Sequence, residues 1–116
     1  MQLQLSTQTE NGVLVVDCIG RIVFGDESSL LRENVKQAIS ENNRIVLNLA
    51  EVSYIDSGGL GTLVALRTTA LNAGGTIKLA NLTQRVSDVL QITKLITVFD
   101  AFNSVSDAVE SFRRAA

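Results

Sequence analysis

Ile45-Val46-Leu47-Asn48-Leu49, then Asp56-Ser57-Gly58-Gly59-Leu60-Gly61, then Thr76-Ile77-Lys78-Leu79-Ala80 follow one another in the middle of the chain. The first run is apolar almost throughout and branched at its start, the character of a buried strand. The third reads as the next strand. Between them Leu60, Leu63, Val64, Ala70 and Leu71 recur at helical spacing, and Ala73-Gly74-Gly75 stops the helix. Glu51-Val52-Ser53-Tyr54-Ile55 reads as a short connection. Strand, helix and strand in that order imply parallel pairing, with helices packed on the sheet.

Toward the N-terminus, residues 1–9 alternate early, Leu3 and Leu5 against Gln2 and Gln4, and Val13 to Gly20 is a second strand-like run. Asn11-Gly12 between them is a strong hairpin signal, because both central turn positions need positive φ. From Asp26 or Ser28 to about Glu41 the period becomes helical, with Leu30, Leu31, Val35, Ala38 and Ile39 on one stripe. Toward the C-terminus, Leu82, Val86, Val89 and Leu90 mark a third helix opened by Asn81 or Thr83. Ile96-Thr97-Val98-Phe99 reads as a last strand. Ser104, with Asp107 three residues on, opens a terminal helix that buries Val105, Ala108, Val109 and Phe112. The predicted order is β-β-α-β-α-β-α-β-α. It describes one α/β domain over residues 1–116, with a mixed, mostly parallel sheet and an N-terminal β-hairpin.

Composition narrows the chemistry. The 116 residues include no His, no Pro and no Trp, with one Cys and a net charge of −2. Without His there is no imidazole base, no Ser-His-Asp or Cys-His arrangement and no ordinary zinc site within the chain. Cys18 lies inside an apolar run and reads as a core residue, not a redox sensor. The ten basic residues are scattered, so nucleic acid is not an expected partner. No uncharged window approaches the roughly 20 residues of a spanning helix, and the N-terminus lacks a basic start and an apolar signal core. A cytoplasmic protein with no direct membrane contact is the expectation.

Asp56 to Gly61 is the one stretch whose residues look chosen for more than packing. It stands where a strand feeds a helix, the edge at which open α/β folds carry their ligand and partner sites. Ser57 is the expected N-cap. Gly58 and Gly59 weaken the first helical turn by roughly 1 kcal/mol each against Ala. They either open the helix start to another molecule or let the helix press onto its sheet, and the residues alone favour neither. A nucleotide loop fits worse, since neither the P-loop Lys nor the dinucleotide fingerprint is present. A receiver-type enzyme would need an acidic cluster, and only Asp56 and Asp26 are on offer.

Tyr54-Ile55-Asp56-Ser57-Gly58-Gly59-Leu60-Gly61 closely resembles the signature of the STAS domain family, specifically the bacterial anti-sigma factor antagonists. The resemblance extends over nearly the whole chain, through Gly20-Arg21-Ile22, Leu47-Asn48-Leu49, Gly74-Gly75 and the segment from Val98-Phe99 to Phe112. It implies a STAS-like fold and a protein that is not an enzyme and carries no cofactor. In its unphosphorylated form such a protein binds an anti-sigma factor that is also a serine kinase, and so releases a sigma factor. Ser57 matches the serine that the kinase phosphorylates, ending that binding, and a metal-dependent serine phosphatase resets it. Asp56, Ser57, Gly58, Gly59 and Leu60 match the partner-binding helix start. Gly58 stands where many members carry Ser or Thr. Val23 stands where many carry an acidic residue, with Asp26 three residues later. The alternative is a constitutive STAS interaction module, a scaffold in a signalling or transport complex, with Ser57 kept only as a cap.

Overall fold

A computed structural model describes residues 2–114, so Met1, where the first predicted strand begins, lies outside the described residues. Strand β1 (Leu3–Glu10) and strand β2 (Val13–Ile22) form an antiparallel hairpin in register from Leu3 opposite Gly20 to Glu10 opposite Val13. Asn11 and Gly12 sit at φ 52° and 80°, the pair of positive values that a tight hairpin turn demands. Helix α1 (Asp26–Glu41) follows, then strand β3 (Arg44–Ile55) and helix α2 (Ser57–Asn72). Strand β4 (Thr76–Ala80), helix α3 (Gln84–Ile92), strand β5 (Ala101–Phe102) and helix α4 (Val105–Arg114) complete the chain. The five strands lie in the order β1-β2-β3-β4-β5, and every pair after the hairpin is parallel.

Alternation along β3 divides the core between the two faces of the sheet. Ile45, Leu47 and Leu49 point to the larger core with Leu31, Val35, Leu63, Leu66, Val86 and Leu90 of the first three helices. Val46 points the other way and joins Val13, Val15 and Ala80 beneath Ala108, Val109 and Phe112 of α4. The face predicted for the terminal helix is therefore the one it buries, and the Ser104 hydroxyl accepts from the Asp107 amide at 3.0 Å as its cap.

Three expectations are corrected. Glu51 to Ile55 is strand, not connection. Two register irregularities, between Asp17 and Ile19 and between Gly20 and Arg21, absorb extra β3 residues and bring Val52 and Ile55 into the core. Those slips break the apolar alternation and hide the strand from a period-2 reading. In α2 the buried stripe is Leu60, Thr62, Leu63, Leu66 and Ala70, while Leu71 is 46% exposed. Ile96 to Phe99 is not a strand: Leu95–Thr97 form one turn of 3-10 helix, and the last strand lies two residues beyond Phe99. Leu95, Ile96, Val98 and Phe99 all pack on the larger core, whereas an extended chain would split them between its two faces.

Candidate functional site

Strand β3 runs directly into α2, with Asp56 as the single residue between them. Asp56 is the N-cap: its Oδ1 accepts from the Gly59 amide at 2.8 Å. The same carboxylate accepts from the Phe24 amide at 3.2 and 3.1 Å, and the Asp56 amide donates to the Ile22 carbonyl. One side chain thus fastens the loop between β2 and α1 to the start of α2. Desolvation pushes the Asp56 carboxyl up, but hydrogen bonds from the Gly59, Phe24 and Gly58 amides outweigh it and hold the group below its ordinary value.

This corrects the expected role of Ser57. It occupies the first helical position, is exposed, and makes no side-chain cap bond; the cap is supplied one residue earlier. An Asp followed by Ser offers two good caps in succession. The choice falls on Asp56 because only its carboxylate also reaches the Phe24 amide.

The glycines divide by position. A Cβ on Gly59 would collide with the carbonyl oxygen of Ile22, and one on Gly58 would lie 2.7 Å from Cβ of Phe24. Both are small because the helix start presses against the end of β2 at Gly59 and against the loop beyond it at Gly58. A Cβ on Gly61 meets nothing within 4 Å. Leu60 is only 5% exposed and belongs to the core. Of the five residues expected to touch a partner, Gly59 and Leu60 are buried, Asp56 and Gly58 are half-buried, and Ser57 stands in solvent.

Beside Ser57 a groove of about 370 Å³ lies between α1 and α2, lined by Phe24, Ser28, Arg32, Gly58, Gly61 and Thr62 among others. Phe24 is 81% exposed, unusual for an aromatic side chain whose backbone is so firmly held. Sequence reasoning missed it; the available signal was an aromatic in a loop between Val23 and Gly25-Asp26, outside any apolar stripe. Ser28 is buried with its hydroxyl donating to the Val23 carbonyl at 2.6 Å, so it braces the same loop. Cys18 is fully buried, and desolvation together with the nearby Asp17 charge pushes its thiol up to about 12, an inert core residue as expected. Among the described residues no cluster of His, Cys, Asp or Glu suits a metal ion, and no helix is long and apolar enough to cross a membrane.

The STAS domain family matches residues 4–108. The Bacillus subtilis anti-sigma-B factor antagonist is 34% identical over 101 residues, covering 86% of this chain and 91% of that protein. A Thermotoga maritima protein named as an anti-sigma factor antagonist is 33% identical over 72 residues, covering 62% of this chain; there the chain spans 64% of the curated relative it matches. Among solved structures, the anti-sigma factor antagonist SpoIIAA in its unphosphorylated form superposes with a TM-score of 0.77 at 20% identity, covering 96% of each chain. The phosphorylated form of Bacillus SpoIIAA superposes at 0.71 and 19%, covering 95% of this chain and 98% of that one. A hairpin leading a parallel sheet, a second helix capped by Asp56 with Ser57 exposed beside it, and a family match over residues 4–108 converge, and the chain belongs to the STAS domain family.

Proposed function

We propose that this chain is an anti-sigma factor antagonist: unphosphorylated, it binds an anti-sigma factor with serine kinase activity and so frees a sigma factor, and phosphorylation of Ser57 ends the binding. The observation that carries this reading is the division of labour between Asp56 and Ser57. Asp56 caps the helix, so the exposed Ser57 hydroxyl has no structural duty and is open to modification. The relatives agree with it, one an anti-sigma-B factor antagonist and another solved in both phosphorylation states. In this reading the chain acts by binding, the kinase brings ATP and magnesium, and a metal-dependent phosphatase resets Ser57.

The magnitudes favour a switch of interface over a switch of fold. A phosphate brings about −1.5 to −2 charges to the first turn of α2, where the helix dipole favours them by roughly 0.3–2 kcal/mol. In water, two unit charges about 4 Å apart repel by about 1 kcal/mol, and at an effective dielectric of 20 by about 4 kcal/mol. Burying phosphoserine beside the ionised Asp56 in an interface therefore costs about 3 kcal/mol more than leaving it in solvent, on the order of a 10²-fold loss of affinity.

A paired pull-down from the source cell's lysate, with wild type and Ser57→Asp as baits, tests the reading. The expected result is an anti-sigma factor of kinase fold retained by wild type and lost by the variant, with both baits showing the same thermal transition within about 1 kcal/mol. Equal capture of the same partners by both baits would replace the switch with a constitutive docking module.

A further inference from the structure

Tyr54 lies near the end of β3, two residues before Asp56, and two guanidinium groups are gathered over its ring. The Arg85 Cζ is 4.5 Å from the ring centroid and the Arg21 Cζ is 5.5 Å. Arg21 faces Tyr54 across the parallel pair of β2 and β3, and Arg85 comes from the first turn of α3. The Thr83 hydroxyl ties that turn to the sheet by donating to the Val52 carbonyl at 3.0 Å. All three side chains therefore sit on the edge where β2 and β3 end, which is also the edge where α2 begins with Ser57.

Neither guanidinium at this edge is held in an ion pair with a described residue. Among the described residues the one ion pair is Arg113 with Glu110, far along the chain in α4. The first turn of α3 carries no acidic residue, and Asp88, one turn on, accepts from the Gln84 side-chain Nε2 at 2.7 Å. Glu27 feels the Arg21 charge, but its carboxylate accepts from the Gln2 amide at 2.8 Å and forms no ion pair with Arg21. Glu51, exposed on β3, forms none either. Two like charges held against one ring next to a positive helix terminus make a preorganised anion site. A guanidinium held over a ring keeps its N–H donors in its own plane, and those donors are what a carboxylate requires.

We propose that Arg21, Tyr54 and Arg85 form a docking site for an acidic, carboxylate-bearing segment of the partner protein, at the same sheet edge as Ser57 and fixing how the partner approaches that edge. The site rests on the partner-binding reading above and adds an electrostatic element to it. Its location makes binding through it dependent on salt, and its two cations steer association.

Tyr54 is the chain's single tyrosine and there is no tryptophan, so tyrosine emission reports on this cluster. The test is titration of the full chain with hexaglutamate peptide at low ionic strength, reading Tyr54 emission, for wild type, Arg21→Gln, Arg85→Gln, the double variant and Ser57→Asp. The expected result is a saturable change in wild type and Ser57→Asp. Affinity should be roughly three- to tenfold weaker in each single Arg variant and abolished in the double variant. Circular dichroism of the exposed Arg variants should match wild type. No saturable change in wild type, or equal affinity in the double variant, overturns the site. Displacement of the peptide by inorganic phosphate at matched ionic strength overturns it too, since the cluster would then be a general small-anion site. A pull-down that separates wild type from Ser57→Asp while hexaglutamate leaves Tyr54 unmoved retires this site alone. A lysate that yields no anti-sigma factor, with the titration positive, retires the proposed function.

Discussion

Asp56 and Ser57 stand side by side and do unrelated work. The Asp56 carboxylate accepts from two backbone segments that are distant in sequence, the Phe24 and Gly59 amides. Asp56→Ala should therefore destabilise the fold by about 1–2 kcal/mol, the range of a lost N-cap. Asn caps about as well as Asp but carries no charge, so Asp56→Asn should lose less. The gap between wild type and Asp56→Asn has a defined pH dependence. A carboxyl held below its ordinary value of 3.8 stabilises the fold above that pH and loses the contribution as pH falls through the lowered value. Chemical denaturation at about pH 6 and at about pH 3 checks this: the gap should narrow toward the acid side. A gap that widens in acid would mean the carboxylate is not the stabilised form.

At the scale of the element, α2 shows why a glycine-rich helix start is not uniform. Gly59 faces the Ile22 carbonyl at the end of β2, whereas Gly61 faces open space. Gly59→Ala must push the helix off the sheet, a strain of about 1–3 kcal/mol by comparison with overpacked cores. Gly61→Ala meets nothing and gains helix propensity, so it should stabilise by up to about 1 kcal/mol. Thermal melts of the two variants should move in opposite directions. If both lose stability, the space around Gly61 is filled by something other than this chain's own atoms. The groove between α1 and α2 depends on the same packing, because Gly58 and Gly61 line it with Phe24 and Arg32.

Across the whole molecule, the sheet separates two apolar layers of unequal size, a larger one under three helices and a smaller one under α4. Cys18 lies in the larger layer on β2, fully buried, with its thiol pushed up to about 12. Its labelling by a thiol reagent at neutral pH should wait for global opening, so the labelling rate should fall to the unfolding-limited value and rise with denaturant. Rapid labelling of the native protein would mean that the hairpin opens independently of the rest. Lys78 shows how the smaller layer tolerates a cation. Its ammonium is 4.3 Å from the Phe112 ring centroid and donates to the Ser111 hydroxyl at 2.8 Å, so the helix that buries it also solvates it.

Local patterning alone was enough for the opening hairpin, the parallel crossovers, the element order as far as α3 and the place of the signature, but not for the position of the last strand. Asn11-Gly12 has one good turn, Ser104 with Asp107 one good cap, and the stripe of α4 one amphipathic face. Tertiary structure decided what local pattern leaves degenerate. Asp56 and Ser57 are both competent caps, and the Phe24 amide, more than thirty residues away in sequence, selects Asp56. Glu51 to Ile55 becomes strand because β2 offers a partner whose register slips accommodate it. Leu95–Thr97 turn instead of extending because Leu95, Ile96, Val98 and Phe99 all face one core. Gly58 and Gly59 are ambiguous until the end of β2 is seen pressed against them, and the gathering of Arg21, Tyr54 and Arg85 exists only once β2, β3 and α3 are brought to one edge. Propensity and periodicity act over a few residues, whereas these choices depend on atoms that only the folded chain brings within reach.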